Sequence, residues 1–128
     1  MLEDLTFKSL GIVNYHETLE QMRAHINADD FKNEIWILEH PPIFTLGTAA
    51  DKKHILESKE IPVVQSDRGG EVTYHGISIN FDMDLSPFKQ INPCGYKGLE
   101  VTQIKDLNKD ISKLQLHEII IDLLRKVF

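Results

Sequence analysis

Leu116, Ile119, Ile120, Leu123, Leu124 and Val127 recur at steps of three and four residues near the C-terminal end of the chain. Side chains so spaced line one face of an α-helix, and that face needs an apolar layer to cover it. The upstream sequence supplies strands for such a layer. Glu34-Ile35-Trp36-Ile37-Leu38-Glu39 is a compact run of strand formers stopped by His40-Pro41-Pro42. Leu5 to Leu10, closed by Gly11, reads as another short strand, as do Ile43–Gly47, Ile61–Gln65 and Glu71–Tyr74. Ile77-Ser78-Ile79-Asn80-Phe81 alternates as a half-buried strand does. Leu19, Met22 and Ile26 predict a second amphipathic helix over Tyr15–Asn27, closed by Asp29-Asp30. Strands mixed with flanking helices predict an α+β layer architecture, a mixed sheet with packed helices. No repeat or linker divides residues 1–128, so a single domain is expected.

Charge and cysteine usage narrow the partners. The net charge of −6 argues against nucleic acid, whose phosphates call for a basic face. Lys52-Lys53 could meet a small acidic partner, although a solvated turn is the simpler reading. No apolar run reaches the length of a membrane span, and Met1-Leu2-Glu3-Asp4 is acidic where a signal peptide would be basic. One cysteine forbids an intrachain disulfide and suits a reducing compartment. These features predict a cytoplasmic protein with no membrane contact.

That cysteine, Cys94, stands in Ile91-Asn92-Pro93-Cys94-Gly95-Tyr96-Lys97-Gly98, between a proline that fixes the backbone and a glycine that frees it. A lone thiol is usually a small buried hydrophobe. On a rigid turn it is also well placed to be a nucleophile, provided that a cation, a helix N-terminus or a base favours its thiolate. Lys89 and Lys97 are the cations nearest in sequence, and neither is compelling. Asp67-Arg68-Gly69-Gly70 follows a strand and could cradle a carbonyl or acyl chain beside Arg68, or simply turn the chain. It lacks the spacing and the Gly-Lys-Ser/Thr ending of a phosphate-binding loop. His75 titrates near neutrality and could move a proton to or from Cys94. His40, before two prolines, reads as loop-shaping. The six histidines show no metal-ligand spacing, so neither metal nor cofactor is implied.

Three segments, in order, carry a family resemblance: Glu39-His40-Pro41-Pro42-Ile43-Phe44-Thr45-Leu46-Gly47; Ser66 to Gly76; and Asp84-Leu85-Ser86-Pro87-Phe88 with Ile91-Asn92-Pro93-Cys94-Gly95. Together they closely resemble the octanoyl-[acyl-carrier-protein]:protein octanoyltransferases of lipoate biosynthesis, the lipoyl-protein ligase B family. The resemblance implies a fold like that of biotin and lipoate protein ligases. It also implies that Cys94 takes an octanoyl group from octanoyl-acyl carrier protein as a thioester. A lysine of a lipoyl domain, in the 2-oxoacid dehydrogenases or the glycine cleavage H protein, then receives it as an amide. Thioester exchange is nearly balanced and amide formation runs downhill, so no ATP is required. By the same resemblance Cys94 and His75 are catalytic. Arg68, Gly69, Gly70, Glu71, Val72, Thr73, Tyr74, His75, Gly76, Ile77 and Ser78 line the acyl site.

The departure from the family is internal. Its members continue from Thr-Tyr-His-Gly into a central block that carries a cysteine-activating lysine and ends in a second His-Gly before an Asn-ending strand. Here Thr73-Tyr74-His75-Gly76 runs directly into Ile77-Ser78-Ile79-Asn80. The resemblance therefore implies a chain lacking that block and its lysine, with His75 standing in for two histidines. Loss of central strands would expose sheet edges and apolar faces. Two other readings stay open: a non-catalytic remnant that binds an acyl chain or carrier protein, and a Cys94/His75 thioester hydrolase. The latter lacks a recognisable Asn or Asp to orient His75.

Overall fold

A computed structural model describes residues 5–47, 53, 55–56, 60–65 and 76–128. The fold is α+β, and its described residues fall into two compact units. The first unit holds the described residues up to Pro42 together with Lys113–Phe128; the second spans Ile43–Ser112.

In the first unit, β1 (Thr6–Ile12), α1 (Tyr15–Ile26) and β2 (Glu34–Glu39) form a strand–helix–strand unit in which β1 and β2 pair in parallel. Parallel neighbours need a crossover between them, and α1 provides it. The register runs Thr6↔Glu34 to Ser9↔Ile37 and resumes at Gly11↔Leu38, which leaves Leu10 as an extra residue. Gly11 accommodates this irregularity at φ 69, a conformation that costs a glycine little. It therefore lies inside the strand, where the sequence had suggested a terminator.

Asn14 caps α1: its side-chain oxygen accepts from the Glu17 N–H at 3.1 Å. The buried Thr18 hydroxyl donates to the Asn14 carbonyl at 2.6 Å, so burial leaves it satisfied. Leu19, at 3% exposed, is the helix's main apolar anchor. On the adjoining strand, Glu34 accepts from the Trp36 indole N–H at 2.7 Å and pairs with Lys8 at 3.1 Å. The Lys8 ammonium also lies 5.6 Å from the Trp36 ring centre.

The C-terminal helix α3 (Lys113–Val127) is tied to this sheet along its length. Lys113 pairs with Glu39 at 2.9 Å, His117 Nε2 meets the Ser9 hydroxyl at 3.0 Å, and the Arg125 guanidinium lies 5.2 Å from the Phe7 ring centre. Leu116, Ile120 and Leu124 are half-buried. Ile119, Leu123 and Val127 are 47%, 55% and 73% exposed. The apolar face read from the sequence is thus wider than the layer that covers it, because two strands span only about 5 Å between axes.

In the second unit, β3 (Phe44–Leu46) pairs in parallel with β4 (Val63–Gln65). Phe44 and Leu46 point inward, with Thr45 exposed between them. The Gln65 side-chain amide fixes the strand ends, since its Nε2 donates to the carbonyls of Leu46 and Gly47 at 3.0 and 3.2 Å. A short helix α2 (Ile104–Leu107) follows later in this unit. The strand expected over Glu71–Tyr74 lies outside the described residues.

The strand expected over Ile77–Phe81 does not form. Its carbonyls serve α2 instead: the N–H groups of Ile104 and Lys105 donate to Asn80 and Phe81 at 2.9 and 3.0 Å. These are first-turn amides with no partner inside their own helix. Ile77 is 86% exposed, so the alternating pattern faces no layer among the described residues.

The Trp36 indole N–H, ahead of the Lys8 contact, holds the Glu34 carboxyl below its ordinary pKa despite the opposing effect of burial. A carboxyl depressed in the folded state stabilises above its unfolded pKa of about 4.3 and loses that contribution as pH falls through the folded value. Glu34→Gln is therefore expected to cost about 1 kcal/mol at pH 7, with the gap to wild type closing towards pH 3. Urea unfolding at the two pH values measures both numbers.

Candidate active site

Pro93, Cys94 and Gly95 form one tight turn. Cys94 has φ 53 and ψ 24, and Gly95 has φ 78. Two successive positive φ values, closed by a Tyr96 N–H to Pro93 carbonyl bond of 3.0 Å, are the geometry of a type I′ turn. The Gly95 N–H also donates to the Asn92 carbonyl at 2.9 Å. Pro93 is buried beneath the turn while Cys94 is exposed, so the thiol stands on an anchored support. Glycine at 95 was legible as the source of the turn. That Cys94 itself takes the left-handed conformation was not, because cysteine has no special preference for it.

The segment before the turn is held independently. The Asp84 carboxylate accepts from the Ser86 N–H and hydroxyl, each at 2.9 Å, and these bonds keep its pKa below the usual carboxylate range. The Asp-x-Ser-Pro order that starts this turn was present in Asp84-Leu85-Ser86-Pro87, and its local bonding could have been anticipated. Farther on, Ile91 bridges Ile55 in antiparallel fashion and the Leu56 N–H donates to the Gln90 carbonyl at 2.7 Å.

Gly76, Ile77 and Ser78 are exposed and belong to the same compact unit as Cys94. They lead into a segment fixed by Asn80, whose side-chain amide donates to the Thr102 carbonyl at 3.1 Å, and by Gln103, whose side-chain oxygen accepts from the Met83 N–H at 2.6 Å. Asn80 and Gln103 had not been singled out, since a lone amide in a loop carries no periodic signal. Arg68, Gly69, Gly70, Glu71, Val72, Thr73, Tyr74 and His75 lie outside the described residues. Among the described residues no hydrogen bond joins Cys94 to Gly76–Ser78, and neither Lys89 nor Lys97 bonds to the thiol. His40 has the structural part expected of it: its Nδ1 lies 2.9 Å from the Val13 carbonyl and its ring packs edge-on to Tyr15 at 5.1 Å.

Residues 14–77 match the lipoyl protein ligase A/B catalytic domain. An octanoyltransferase of Marinomonas sp. (strain MWYL1) is 31% identical, over 84% of this chain and 85% of its own length. The chain belongs to the octanoyltransferase family. Octanoyltransferases of Stutzerimonas stutzeri (strain A1501), 30% identical over 84% of this chain and 83% of theirs, and of Pseudomonas putida (strain F1), 31% identical over 80% and 82%, agree. No solved structure matches. The alignment with the Marinomonas octanoyltransferase spans 182 positions, more than the chain has residues. Since 84% of 128 is about 108, roughly 74 aligned positions of that relative stand opposite no residue here.

Left-handed backbone is strained for a residue with a Cβ and free for glycine. Cys94→Gly is thus expected to be more stable than Cys94→Ala by about 1 kcal/mol, although both lack the thiol. Paired thermal unfolding of the two variants checks this.

Proposed function

We propose that this chain is a shortened octanoyltransferase domain acting in lipoate assembly, with Cys94 as its nucleophile. The observation that carries the reading is an exposed thiol on an anchored turn, in a chain whose family is an acyltransferase family. In the first step the Cys94 thiolate attacks the carbonyl carbon of octanoyl-acyl carrier protein. The new carbon–sulfur bond replaces the carrier's, and the carrier's thiolate leaves and takes up a proton. In the second, the neutral ε-amine of a lipoyl-domain lysine attacks the Cys94 thioester. An amide forms, Cys94 leaves as thiolate, and the amine gives up one proton. His75 is the proposed carrier of protons in both steps.

The residues from Arg68 to Ser78 form the proposed wall of the acyl site. Two glycines, Gly69 and Gly70, let backbone approach the chain closely, and exposed Ile77 adds apolar surface at the end of the segment. The roughly 74 unmatched positions support an internal loss between the two His-Gly segments of the family pattern. The activating lysine of the family falls within that block. Cys94 then depends on His75 alone for its activation, and transfer should be slow.

Intact-protein mass spectrometry after mixing the chain with octanoyl-acyl carrier protein tests the first step. The expected result is one added octanoyl mass, absent in Cys94→Ala, and formed about 100-fold more slowly in His75→Ala. Release of free octanoate at the same rate with and without a lipoyl domain would instead identify a hydrolase. A folded chain that binds the carrier without acquiring the mass would be a non-catalytic remnant.

A further inference from the structure

Cys94 and Lys97 stand second in two successive turns that share Tyr96. The first turn is Pro93–Tyr96. The next, Tyr96–Leu99, has Gly98 at φ 72 and is closed by a Leu99 N–H to Tyr96 carbonyl bond of 3.4 Å. Both side chains are exposed. A Cβ added at Gly98 would meet nothing within 4 Å among the described residues, so the corner that carries Lys97 is open. Lys97 itself makes no hydrogen bond or ion pair among the described residues. We propose that Lys97 is a self-acylation site, whose amine takes the octanoyl group held on Cys94 when no lipoyl-domain lysine accepts it. The inference rests on Cys94 carrying that group as a thioester.

Reach is sufficient. Three residue steps span at most about 11 Å when fully extended, and two turns in a row shorten that. The lysine stem from Cα to Nζ covers about 6 Å, and the path from the Cys94 Cα to a thioester carbonyl carbon about 4 Å. The side chains alone therefore close the gap. In the step itself the neutral Lys97 amine bonds to the thioester carbonyl carbon and the carbon–sulfur bond breaks. Cys94 leaves as thiolate, and the nitrogen gives up one proton to solvent. An amide replaces a thioester, so the step runs downhill without a co-reactant. An amine tethered this closely works at an effective concentration of millimolar order, whereas a lipoyl domain must arrive by diffusion. Lys89 has no such place. It lies five residues upstream in the 3-10 turn Ser86–Gln90, with Ile91 and Asn92 extended between it and the buried Pro93.

The octanoyl thioester of mercaptoethanesulfonate, a small soluble donor, loads Cys94 by thiol exchange without calling on carrier recognition. Incubated with it at mildly alkaline pH, the full chain should gain an octanoyl mass that neutral hydroxylamine removes at first and later does not. Hydroxylamine cleaves thioesters and spares amides, and peptide mapping should place the resistant group on Lys97. Lys97→Arg keeps the charge but offers no acylable amine. It should retain the labile adduct and lose about nine-tenths of the resistant one. Lys89→Arg should change neither. In Cys94→Gly no resistant mass should appear at Lys97, which excludes direct attack on the donor. An adduct that stays wholly labile in wild type overturns the proposal. So does a resistant group that survives Lys97→Arg or Cys94→Gly, or a thiol that the donor does not load. Octanoyl-acyl carrier protein in place of the small donor separates the two readings. Loading from the small donor alone leaves the Lys97 step standing and overturns the carrier-dependent transfer.

Discussion

The first unit depends on the parallel pairing of β1 with β2. Two strands alone make a marginal sheet. What holds this pair is its neighbours on sequence: α1 crosses over between the strands, buries Leu19, and is capped by Asn14 directly after β1. The second cover is α3, brought from the far end of the chain and fastened at Glu39, Ser9 and Phe7. Its three fastenings meet both strands, so loosening the pair would release the helix as well. In the second unit β3 and β4 likewise pair in parallel, with Phe44 and Leu46 as its buried pair.

Much of this was legible because the deciding forces are local. The bounds of α1 and β2 follow closely from apolar spacing and from His40-Pro41-Pro42, although the caps are Asn14 and Asn27 where Asp29-Asp30 had been expected to close the helix. The tight turn around Cys94 follows from its flanking proline and glycine. Ile77–Phe81 shows the opposite case. Its alternation describes what a strand would need, while a strand also needs a partner, and the carbonyls at Asn80 and Phe81 are taken by the start of α2. Hydrogen bonds over more than twenty residues leave no periodic trace. The same holds for Gln103, whose amide fixes Met83 without any signature in its surroundings.

The α3 face shows how a pattern can be right and its burial incomplete. The apolar residues that define the helix are those that the sequence marks, and half of them find cover. A stripe of that width suits a broader layer than two strands provide.

The left-handed backbone at Cys94 constrains what could ever replace it. Glycine and asparagine enter that region readily, whereas valine, isoleucine and threonine carry a branch at Cβ that it resists. A descendant with no use for the thiol would still have to satisfy the turn. Its substitutions at this position would drift towards residues that tolerate the shape, and the record of lost chemistry would be a glycine or an asparagine between Pro93 and Gly95.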